Sequence, residues 1–417
     1  MKNKIYHPSL WVGLSGGMDS VVLLHFVKHF LERMKSKYLL LENYQLKAIH
    51  INHRILPEAN DFEQYCRKIC KKLNVKLHIV RTTVQKKSGE SLEALAREAR
   101  YQLIEKKLKE NDIFLTGHHL DDQAETFLLQ LLRGAGLKGA SAMPAVAKFG
   151  KGYLMRPLLS FSRDTIKTYA NNYSLDYIHD PSNMDENYDR NYIRHTLMLL
   201  FKQKWPKVSQ IFSRFSNHCA KQEQLLQEFA MQDYKKCKGM FPNSLLLSTL
   251  NEFSLARQKN VLRYWINEYY AHQNFPLSEK TLDQILLTFF TPKDKCPTVK
   301  ATIKINSTLI NIEFRRFKEC IYLLSSTELS SRSPLLTTEE KYWCQKNIRD
   351  FKKNENLFAV HFRQNGEKIW SANSSHHKRL KNLFQEWGVP TWQRNRIPLI
   401  YFRQKLIAVV GYAVFEN

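Results

Sequence analysis

A short apolar segment, a glycine-rich turn and a helical pattern constrain the N-terminal fold more than any other feature of the sequence. Residues 10–14 are apolar except for Gly13 and have the length of a buried strand. SGGMDS, residues 15–20, follows directly. Apolar residues then recur at helical spacing, at Leu23, Phe26, Val27 and Phe30. The pattern predicts a strand, a tight turn and a helix, with an anion-binding turn at the helix N-terminus.

The composition of the turn predicts a metal-assisted phosphate site. The backbone amides of Ser15, Gly16 and Gly17 are expected to face phosphate oxygens, because glycine permits close approach. The loop lacks the Gly-Lys-Ser/Thr ending of a Walker A loop. Asp19 places a carboxylate beside the phosphates, and the two repel each other unless a cation lies between them. We therefore expect Mg²⁺ at Asp19; an ordinary glycine turn capped by Ser15 is the alternative.

Length and charge limit the class of protein. A chain of 417 residues suggests two or three domains. The formal charge of +25 indicates a polyanionic partner such as nucleic acid, with a generally basic, solvated surface as the alternative. The 7 cysteines include no CxxC pair, so neither a zinc ribbon nor a disulfide framework is predicted, and a reduced cytoplasm fits best. No run of eighteen apolar residues occurs, so no membrane partner and no signal peptide are expected.

Strand and helix patterns alternate along the first part of the chain. Strands are predicted at 45–52, 75–80 and 113–116, and helices at 58–73, at 92–108 and from 121 onward. This alternation is typical of a parallel sheet covered by helices on both faces. The N-terminal fold class is therefore α/β. Ligands of such sheets lie beyond the carboxyl ends of the strands, where SGGMDS already sits.

A second informative segment, TGHHLDDQAETFLLQLLRGAG, occupies residues 116–136. Asp121 and Asp122 fall in the first turn of the predicted helix, where the helix dipole by itself favours acidic residues. The functional alternative is that one of them faces Asp19 and helps to hold Mg²⁺. His118 and His119 point to opposite sides in extended chain, so one of them, not both, is expected to contact nucleotide or substrate. The helix is predicted to bury Ala124, Phe127, Leu128 and Leu131.

Further motifs follow in a recognisable order. INHR spans 51–54, LAREARY 95–101 and GHHLDDQAET 117–126, followed by RPLL at 156–159, DPSN at 180–183 and RNYIR at 190–194. Near the other end lie RQNGE at 363–367, LKNLFQE at 380–386, IPLI at 397–400 and AVVG at 408–411. Together with SGGMDS, these motifs resemble the tRNA(Ile)-lysidine synthetase family of PP-loop ATP pyrophosphatases over essentially the whole chain.

The resemblance implies an architecture and an activity. It implies a Rossmann-like ATP pyrophosphatase domain at 1–195, a helical connector at 196–240, a mostly helical substrate-recognition domain at 241–330, and a small α+β tRNA-binding domain at 350–417. The implied reaction uses ATP to join L-lysine to carbon 2 of the wobble cytidine in the CAU anticodon of an isoleucine tRNA. An adenylated cytidine is the intermediate, and AMP and pyrophosphate are released. A homodimer is left open beside a monomer.

The resemblance also implies roles for individual residues. Those implied to bind ATP are Ser15, Gly16, Gly17, Met18, Asp19, Ser20, His50, Asn52 and Gly117. Those implied in catalysis are Asp19, Arg100, His118, Asp121 and Asp122, with Asp19 and Asp122 as metal ligands. Those implied to contact substrate or tRNA are Arg97, Arg156, Arg190, Arg194, Arg394 and Arg396. Whether a carboxylate or His118 accepts the proton of the lysine amine is left open.

The arginines have simpler interpretations as well. Arg97 and Arg100 could form a solvated basic helix edge, although an arginine fork is well suited to phosphate oxygens. Arg190 and Arg194 lie four apart and would share one helix face, as a surface pair or near the substrate.

The last 57 residues, 361–417, hold nine Lys or Arg against three Asp or Glu and form a candidate RNA surface. Trp387, Trp392 and Tyr401 are either base-stacking or core residues. Arg394 and Arg396 are predicted to share one face of an extended chain beside Trp392.

Two other functions use the same loop. A tRNA thiolation enzyme of the PP-loop class needs reactive cysteines, and only Cys66 and Cys70 lie near a motif. A non-catalytic tRNA-binding protein could keep an inert nucleotide fold, but the intact acidic positions of both motifs argue against it.

Overall fold

The computed structural model divides into two units, Met1–Glu228 and Phe229–Asn417, which are described separately. The structure describes residues 8–35, 37, 44–54, 59–83, 92–179, 185–239, 243–270, 277–290, 297–305, 308–325, 335–352, 355–364, 366–370 and 377–415. The DPSN motif at 180–183 and the serine cluster at 330–333 lie outside these ranges.

The first unit begins with an α/β sheet domain. Its elements are β1 (Ser9–Gly13), α1 (Met18–Lys35), β2 (Gln45–Asn52), α2 (Ala59–Lys72), β3 (Lys76–Arg81), α3 (Leu92–Lys107), β4 (Ile113–Leu115), α4 (Leu120–Leu132), α5 (Leu137–Ala140), β5 (Val146–Phe149), β6 (Gly152–Met155) and α6 (Arg163–Asn172). The sheet order is β3-β2-β1-β4-β6-β5, and every pairing is parallel except that of β5 with β6. The predicted strands and helices of this region are present, whereas the β5–β6 hairpin was not predicted.

Strand β1 lies between β2 and β4 and is the centre of the sheet. Val12 of β1 and Leu14, the residue after the strand, are buried, and the register pairs Gly13 with Ile49 of β2. The chain leaves β1 toward β2 on one side and reaches β4 on the other, so the strand order reverses beside β1. Ligands bind beyond the carboxyl ends of the strands at such a reversal. The loops after β1, β2 and β4 therefore meet at the edge where the site is expected.

The predicted apolar face of α1 is only half right. Leu23 and Val27 are buried, but Phe26 and Phe30 are exposed and stack on each other with ring centroids 6.2 Å apart. The start of α1 is buried over more than one face, because Val21, Val22 and Leu24 also lie in the core. The spacing i, i+3, i+4, i+7 predicts one buried face, and it therefore fails for a helix that is covered on several sides. In α4, likewise, Leu131 is exposed, whereas Ala124, Phe127 and Leu128 are buried as predicted.

A helical segment completes the first unit. It comprises α7 (Asp189–Tyr192), a π-helical turn (Ile193–Leu197), α8 (Met198–Lys204) and the long α9 (Val208–Cys237), which runs into the second unit. Ile193, Met198 and Val208 pack with Ala124 and Leu128 of α4. This packing fixes the segment that carries Arg190 and Arg194 against the helix that carries Asp122.

The second unit begins with helices packed on an antiparallel sheet. Its elements are β7 (Ser244–Leu246), α10 (Leu247–Asn251), α11 (Leu255–Tyr269), α12 (Glu279–Phe290), β8 (Thr298–Ile305), β9 (Thr308–Phe317) and β10 (Cys320–Ser325). The sheet order is β7-β10-β9-β8. Trp265, Phe289 and Phe314 are buried in its core, which the helices and the sheet share.

The last part of the chain forms a small α+β body. Its elements are α13 (Thr338–Asn347), β11 (Phe358–His361), β12 (Lys368–Trp370), β13 (His377–Arg379), α14 (Leu380–Glu386), α15 (Thr391–Arg394), β14 (Leu399–Phe402), β15 (Lys405–Val409) and β16 (Ala413–Val414). Cys344 and Ile348 pack with Ile400 and Ala408, so α13 shares a core with the C-terminal sheet. Among the described helices, none has the length and hydropathy needed to cross a membrane.

Candidate active site

The loop after β1 is held by its two serines. Ser20 Oγ accepts a hydrogen bond from the Ser15 amide at 3.2 Å and donates to the Gly17 carbonyl at 2.9 Å. The Gly17 amide donates to Ser15 Oγ at 3.3 Å. Gly16 has φ +96°, a conformation that favours glycine. These contacts shape the turn at the start of α1, and they occupy the amides of Ser15 and Gly17, two of the three that were expected to face phosphate oxygens.

The loop after β4 touches the start of α1 through Gly117. A Cβ atom at Gly117 would lie 2.9 Å from the Asp19 carbonyl oxygen and 3.2 Å from the Ser20 amide nitrogen. Both neighbours are backbone atoms, so no side-chain rotation could relieve that contact. Gly117 thus brings the two motifs into direct contact. Its implied role in ATP binding stays a prediction.

His119 joins the two motifs electrostatically. It is the N-cap of α4: its Nδ1 accepts from the Asp122 amide at 3.3 Å, and the His119 amide donates to Asp122 Oδ2 at 3.0 Å. This reciprocal pair is a capping-box arrangement. His119 Nε2 then lies 3.4 Å from Asp122 Oδ2 and 3.8 Å from Asp19 Oδ2. The imidazole is therefore placed between the carboxylates of the two motifs.

Asp19 keeps one carboxylate oxygen without a hydrogen-bond partner among the described residues. That oxygen is Oδ1, which is buried although the side chain as a whole is 36% exposed. Burial raises the pKa of Asp19, and the charge of Asp122 adds to the rise while His119 opposes it. An unpaired, partly desolvated carboxylate beside a second carboxylate favours a bound cation.

The donor set fits Mg²⁺ held mainly by its substrate. Within the described ranges, no three or more His, Cys, Asp and Glu side chains are grouped as a metal cage. Mg²⁺ commonly uses one or two carboxylates together with phosphate oxygens and water, rather than a cage made by the protein. Asp19 Oδ1 supplies one hard oxygen of that kind. The structure thus fits a metal at Asp19 when phosphates are present.

Asp122, the other expected metal ligand, has both oxygens engaged. Oδ1 accepts from Arg190 at 2.9 Å and from Arg194 at 2.8 Å, and Oδ2 accepts from the His119 amide. Burial by itself would raise the pKa of Asp122, but the charges of His119 and the two arginines outweigh it and hold the pKa at about 2. These three hydrogen bonds use most of the acceptor capacity of the carboxylate and leave only Oδ2 with room for a further contact, such as a metal ion.

Glu125 completes a charged cluster with Asp122. Arg194 forms a two-pronged pair with Glu125 at 2.7 and 2.8 Å, and Arg190 donates to the same carboxylate at 3.2 Å. Arg190 and Arg194 therefore share one face, as their spacing predicts. Two carboxylates and two guanidiniums balance within a buried cluster, which fixes their geometry.

Asp121 points to a different set of partners. Its Oδ1 accepts from Lys202 at 2.6 Å and from Ser209 at 2.9 Å, and its Oδ2 accepts from the Arg163 amide at 3.0 Å. Consecutive residues of a helix diverge by about 100°, so only one of the two aspartates can face Asp19. The structure brings Asp122, and not Asp121, toward Asp19. Asp121 ties the start of α4 to α6, α8 and α9.

His118 faces a basic edge rather than Asp19. Its Nδ1 lies 2.8 Å from Thr116 Oγ1. Burial, together with the charges of Arg156, Arg97 and Arg190, lowers the pKa of His118 to about 3, although Asp122 opposes the shift. The imidazole is therefore neutral near pH 7. It can exchange hydrogen bonds but holds an added proton poorly.

The expected basic residues divide into buried and exposed groups. Arg156 is buried, donates to the Pro144 carbonyl at 2.6 Å, and has an Nε with no partner in the described part of the chain. Arg97 is exposed and lies 5.5 Å from the Tyr101 ring. Arg100 is close enough to His50 and His53 for its charge to lower the pKa of both. Three cationic side chains thus border the loops of this edge.

The other expected nucleotide contacts lie beside the loop after β1. Met18 packs partly buried against the core, and His50 Nδ1 lies 2.8 Å from the Leu14 carbonyl oxygen. Asn52 is buried and uses its side chain within the fold. His50 Nε2 has no partner among the described residues, so it remains available to a ligand.

The predicted geometry of the C-terminal arginines is wrong. Arg394 lies in the short helix α15 instead of an extended chain, so it does not share a face with Arg396 through strand alternation. Arg394 is 5% exposed and donates to the Val389 carbonyl at 2.9 Å. Trp392 packs against the rings of Tyr322 and Phe317. Arg394 and Trp392 therefore act inside the fold in this structure.

Comparisons with known proteins agree along the chain. A family model described as a PP-loop domain matches residues 1–200. Models described as the TilS substrate binding domain and the TilS substrate C-terminal domain match 245–322 and 358–417. The tRNA(Ile)-lysidine synthase of Coxiella burnetii is 38% identical, with 97% of this chain and 89% of that protein covered.

The chain belongs to the tRNA(Ile)-lysidine synthase family. Relatives of the same name from Legionella pneumophila and Vibrio cholerae are 34% and 33% identical and cover 98% and 97% of this chain. The same alignments cover 92% and 90% of those proteins. The family resemblance and the PP-loop fold class predicted from the motifs are confirmed.

A solved structure, the U34-tRNA thiolase of Methanococcus maripaludis with its 4Fe–4S cluster, matches 51% of this chain and 71% of that chain. The identity between the two chains is 20% and the TM-score is 0.43.

The sequence analysis misses two residues of the candidate site, His119 and Glu125. His119 was passed over for His118, although a residue followed three positions later by Asp122 is a candidate N-cap. Glu125 lies three residues after Asp122 and therefore on the same helix face. Both signals were present in GHHLDDQAET.

Proposed function

We propose that this protein ligates L-lysine to carbon 2 of the wobble cytidine in the CAU anticodon of an isoleucine tRNA, using ATP. The reaction forms a carbon–nitrogen bond, releases AMP and pyrophosphate, and changes the codon read from AUG to AUA. One observation carries the proposal: proteins named tRNA(Ile)-lysidine synthase are 38% and 34% identical to this chain over 97% and 98% of its length. The contact between the SGGMDS and GHHLDD motifs at Asp19 supports it.

The first step activates a poor leaving group. The cytosine carbonyl oxygen attacks the α-phosphorus of ATP, a phosphorus–oxygen bond to pyrophosphate breaks, and the oxygen of carbon 2 becomes adenylated. The loop at 15–20 would orient the phosphates, and Arg97 and Arg100 would add positive charge. Mg²⁺, held by Asp19 and substrate oxygens, would supply neutralisation of phosphate charge. Asp122 would place His119 and the two arginines.

In the second step the lysine amine replaces AMP at carbon 2. The nitrogen–carbon bond forms, the carbon–oxygen bond breaks, and AMP leaves with that oxygen. The pKa values of His118 and Asp122, about 3 and 2, make both poor acceptors for the proton of an ammonium group. These values support binding and orienting roles. We infer that the lysine ammonium group loses one proton to solvent before the attack and that the same nitrogen releases a second proton as AMP leaves.

The remaining assignments extend the same proposal. The basic C-terminal segment and the two substrate-domain matches support tRNA binding by residues 241–330 and 350–417, with 196–240 as connector. Arg156, Arg190, Arg194 and Arg396 stay candidate substrate contacts. We place the protein in the cytoplasm, where tRNA is found, and retain a homodimer as an assembly to test.

A single assay tests the proposed activity. The protein is incubated with ATP, each amino acid in turn and unmodified tRNA, and the tRNA is digested and analysed by mass spectrometry. We expect one cytidine of the isoleucine tRNA to gain the mass of lysine minus water, with lysine only. Pyrophosphate release should need tRNA but not lysine. No mass gain, or a gain matching sulfur, would reject lysine ligation in favour of simple binding or thiolation.

The described cysteines argue against the thiolation alternative. Burial raises the pKa of Cys66 and of Cys70 to about 12, so neither is a thiolate near pH 7.

A further inference from the structure

Asn52, implied by the family resemblance to bind ATP, uses the hydrogen bonds of its side chain to hold the turn that follows β2. Its Nδ2 lies 3.3 Å from the Ala59 carbonyl oxygen and 3.3 Å from Glu63 Oε2. Its Oδ1 accepts from the Arg54 amide at 2.9 Å. Arg54 has φ +53°, and asparagine commonly stabilises such turns by bonding to the backbone two residues on. Both ends of the Asn52 side chain therefore hold residues 52–54 in place.

Glu63 anchors that turn to the neighbouring strand and helix. The Glu63 carboxylate is buried and accepts from Arg81 at 2.7 and 3.0 Å and from Arg67 at 2.9 Å. The hydrogen bonds from Arg81, assisted by those from Arg67 and Asn52, lower the pKa of Glu63 to about 2. The carboxylate thus connects β3, α2 and the turn. The position of the residue after Asn52 is fixed by this network.

That residue is His53, and its imidazole has no hydrogen-bond partner among the described residues. Both ring nitrogens are buried. Burial, with the charges of Arg100 and His50, lowers the pKa of His53 to about 4, so the ring is neutral near pH 7. A neutral imidazole offers one donor and one acceptor. Buried polar atoms without partners are uncommon and call for an explanation such as a ligand.

The location of His53 suggests which part of a ligand would meet it. His53 directly follows the carboxyl end of β2, and His50 of the same strand lies 2.8 Å from the carbonyl oxygen of Leu14, the residue after β1. In doubly wound nucleotide-binding sheets, phosphates lie at the turn after the first strand, while the end of the second strand meets the ribose. The nearby His50 Nε2 is also buried and unpartnered among the described residues. An uncharged pair of imidazoles suits a nucleoside better than its phosphates.

We propose that His53, rather than Asn52, contacts the nucleoside part of ATP through its ribose or base, and that Asn52 and Glu63 are positioning residues for His53. This inference rests on the proposed use of ATP at this edge of the sheet. It separates the SGGMDS loop, which would hold phosphates, from the INHR turn, which would hold the nucleoside.

Calorimetry on the intact protein tests the contact directly. ATP, adenosine and pyrophosphate are titrated, with Mg²⁺ present, into wild type and His53→Ala. We expect His53→Ala to lower the affinity for ATP and for adenosine about tenfold, as the loss of one or two hydrogen bonds would. The affinity for pyrophosphate should change less than about twofold. Unchanged ATP affinity in a folded variant, or equal losses for ATP and pyrophosphate, would overturn the proposal.

His78→Ala is the matched control. His78 is another neutral histidine whose buried Nε2 lacks a partner in the described structure, but it lies within β3, packed on Trp11 at 4.8 Å between ring centroids. We expect its ATP affinity to equal that of wild type. A loss as large as that of His53→Ala would show that any buried histidine of the sheet has the same effect, and would reject a specific contact.

Nucleotide analogues separate ribose from base. If His53 binds the ribose, wild type should lose affinity for 2′-deoxyATP and His53→Ala should show no further loss. If it binds the base, the preference of wild type for ATP over GTP should shrink in the variant. Equal discrimination by both proteins with both analogues would contradict a nucleoside contact.

Asn52→Ala and Glu63→Gln test positioning. Both variants should raise the KM for ATP in pyrophosphate release, while kcat changes less than about twofold. Both should lower the affinity for adenosine more than the affinity for pyrophosphate. A purely structural role would lower the melting temperature and leave adenosine affinity unchanged in the folded protein, and that result would remove both residues from the proposal. Wild type that binds ATP without modifying tRNA would reject the proposed function alone, whereas wild type that binds no ATP would reject both.

Discussion

The two ends of the chain use charged side chains differently. In the first unit, two carboxylates pair with two guanidiniums, those of Asp122, Glu125, Arg190 and Arg194. At the edge of this cluster, Asp19 keeps one oxygen that has no partner in the part of the chain that the structure describes. In the C-terminal body, Arg394 turns inward to a backbone carbonyl although its segment is strongly basic. In the first unit, the paired charges therefore lie at the candidate site. In the C-terminal body, a basic residue counted toward the RNA surface has a structural role instead. Charge indicates function only together with the partners that each group has or lacks.

The largest effect that would test this contrast is expected at Asp19. Asp19→Ala should lower tRNA-dependent pyrophosphate release by roughly 10²–10³-fold or more, because removal of a group that stabilises developing charge has effects of that size. The affinity for tRNA should stay close to that of wild type. Asp164→Ala, at an exposed position in the first turn of α6, is the control and should be fully active. Near-normal release by the Asp19 variant would remove the unpaired oxygen from the mechanism.

A second variant compares a buried ion pair with an exposed one. Arg194→Ala leaves Asp122 and Glu125 with less compensation, so the free energy of unfolding should fall by about 3–5 kcal/mol, as for a broken buried pair. Arg133→Ala removes an exposed partner of Asp189 and should change the free energy of unfolding by about 1 kcal/mol or less. Urea unfolding at pH 7 measures both. Similar small changes would mean that the cluster is not a unit.

Acid should weaken the network around Glu63. Its pKa is lowered from 4.5 to about 2 in the folded protein, so its ionised form stabilises the fold above about pH 4.5. That contribution is lost as the pH falls from about 4.5 toward 2, because the carboxylate must then be protonated. Glu63→Gln should therefore be less stable than wild type at pH 7, and the gap should narrow across this window. A gap independent of pH in urea titrations would contradict the assignment.

The smallest effects are expected in the C-terminal body. Arg394→Ala should reduce the free energy of unfolding by about 1.5–3 kcal/mol, because the buried Val389 carbonyl loses a hydrogen bond from a charged group, and it should leave the salt dependence of tRNA binding unchanged. The double variant Arg379→Ala, Lys381→Ala changes two exposed cations of the same body. If both contact phosphates, the slope of log affinity against log salt should drop by about two units. A flatter slope for Arg394→Ala instead would return that residue to the RNA surface.

Local sequence patterns predicted the elements around the candidate site but not the orientation of each side chain. The strand before SGGMDS, the strand at 45–52 and the helix that begins near Asp121 were all predicted, because turn chemistry and periodicity are local properties. The choice between Asp121 and Asp122 depends on Lys202 and Ser209, which lie far along the chain. The capping-box spacing fits His118 with Asp121 as well as His119 with Asp122, so no local pattern chooses between the two aspartates.

The same limit explains the errors elsewhere. Phe26 and Phe30 matched a helical stripe, but the core reaches α1 from more than one side. Arg394 and Arg396 were placed in extended chain because no helical period is visible in so short a segment as α15. Burial of a basic residue follows from the fold around it, which charge counts do not contain.

The contact at Gly117 has a consequence for how such chains can vary in length. The backbone of Gly117 rests directly on that of Asp19 and Ser20, with no room for a methyl group. The distance between the two motifs is therefore set by this contact and not by the number of residues between them. Segments that connect β1 to β4 can lengthen or shorten while the spacing of the reactive groups stays constant. A single added methyl at position 117 would disturb that spacing more than an inserted loop.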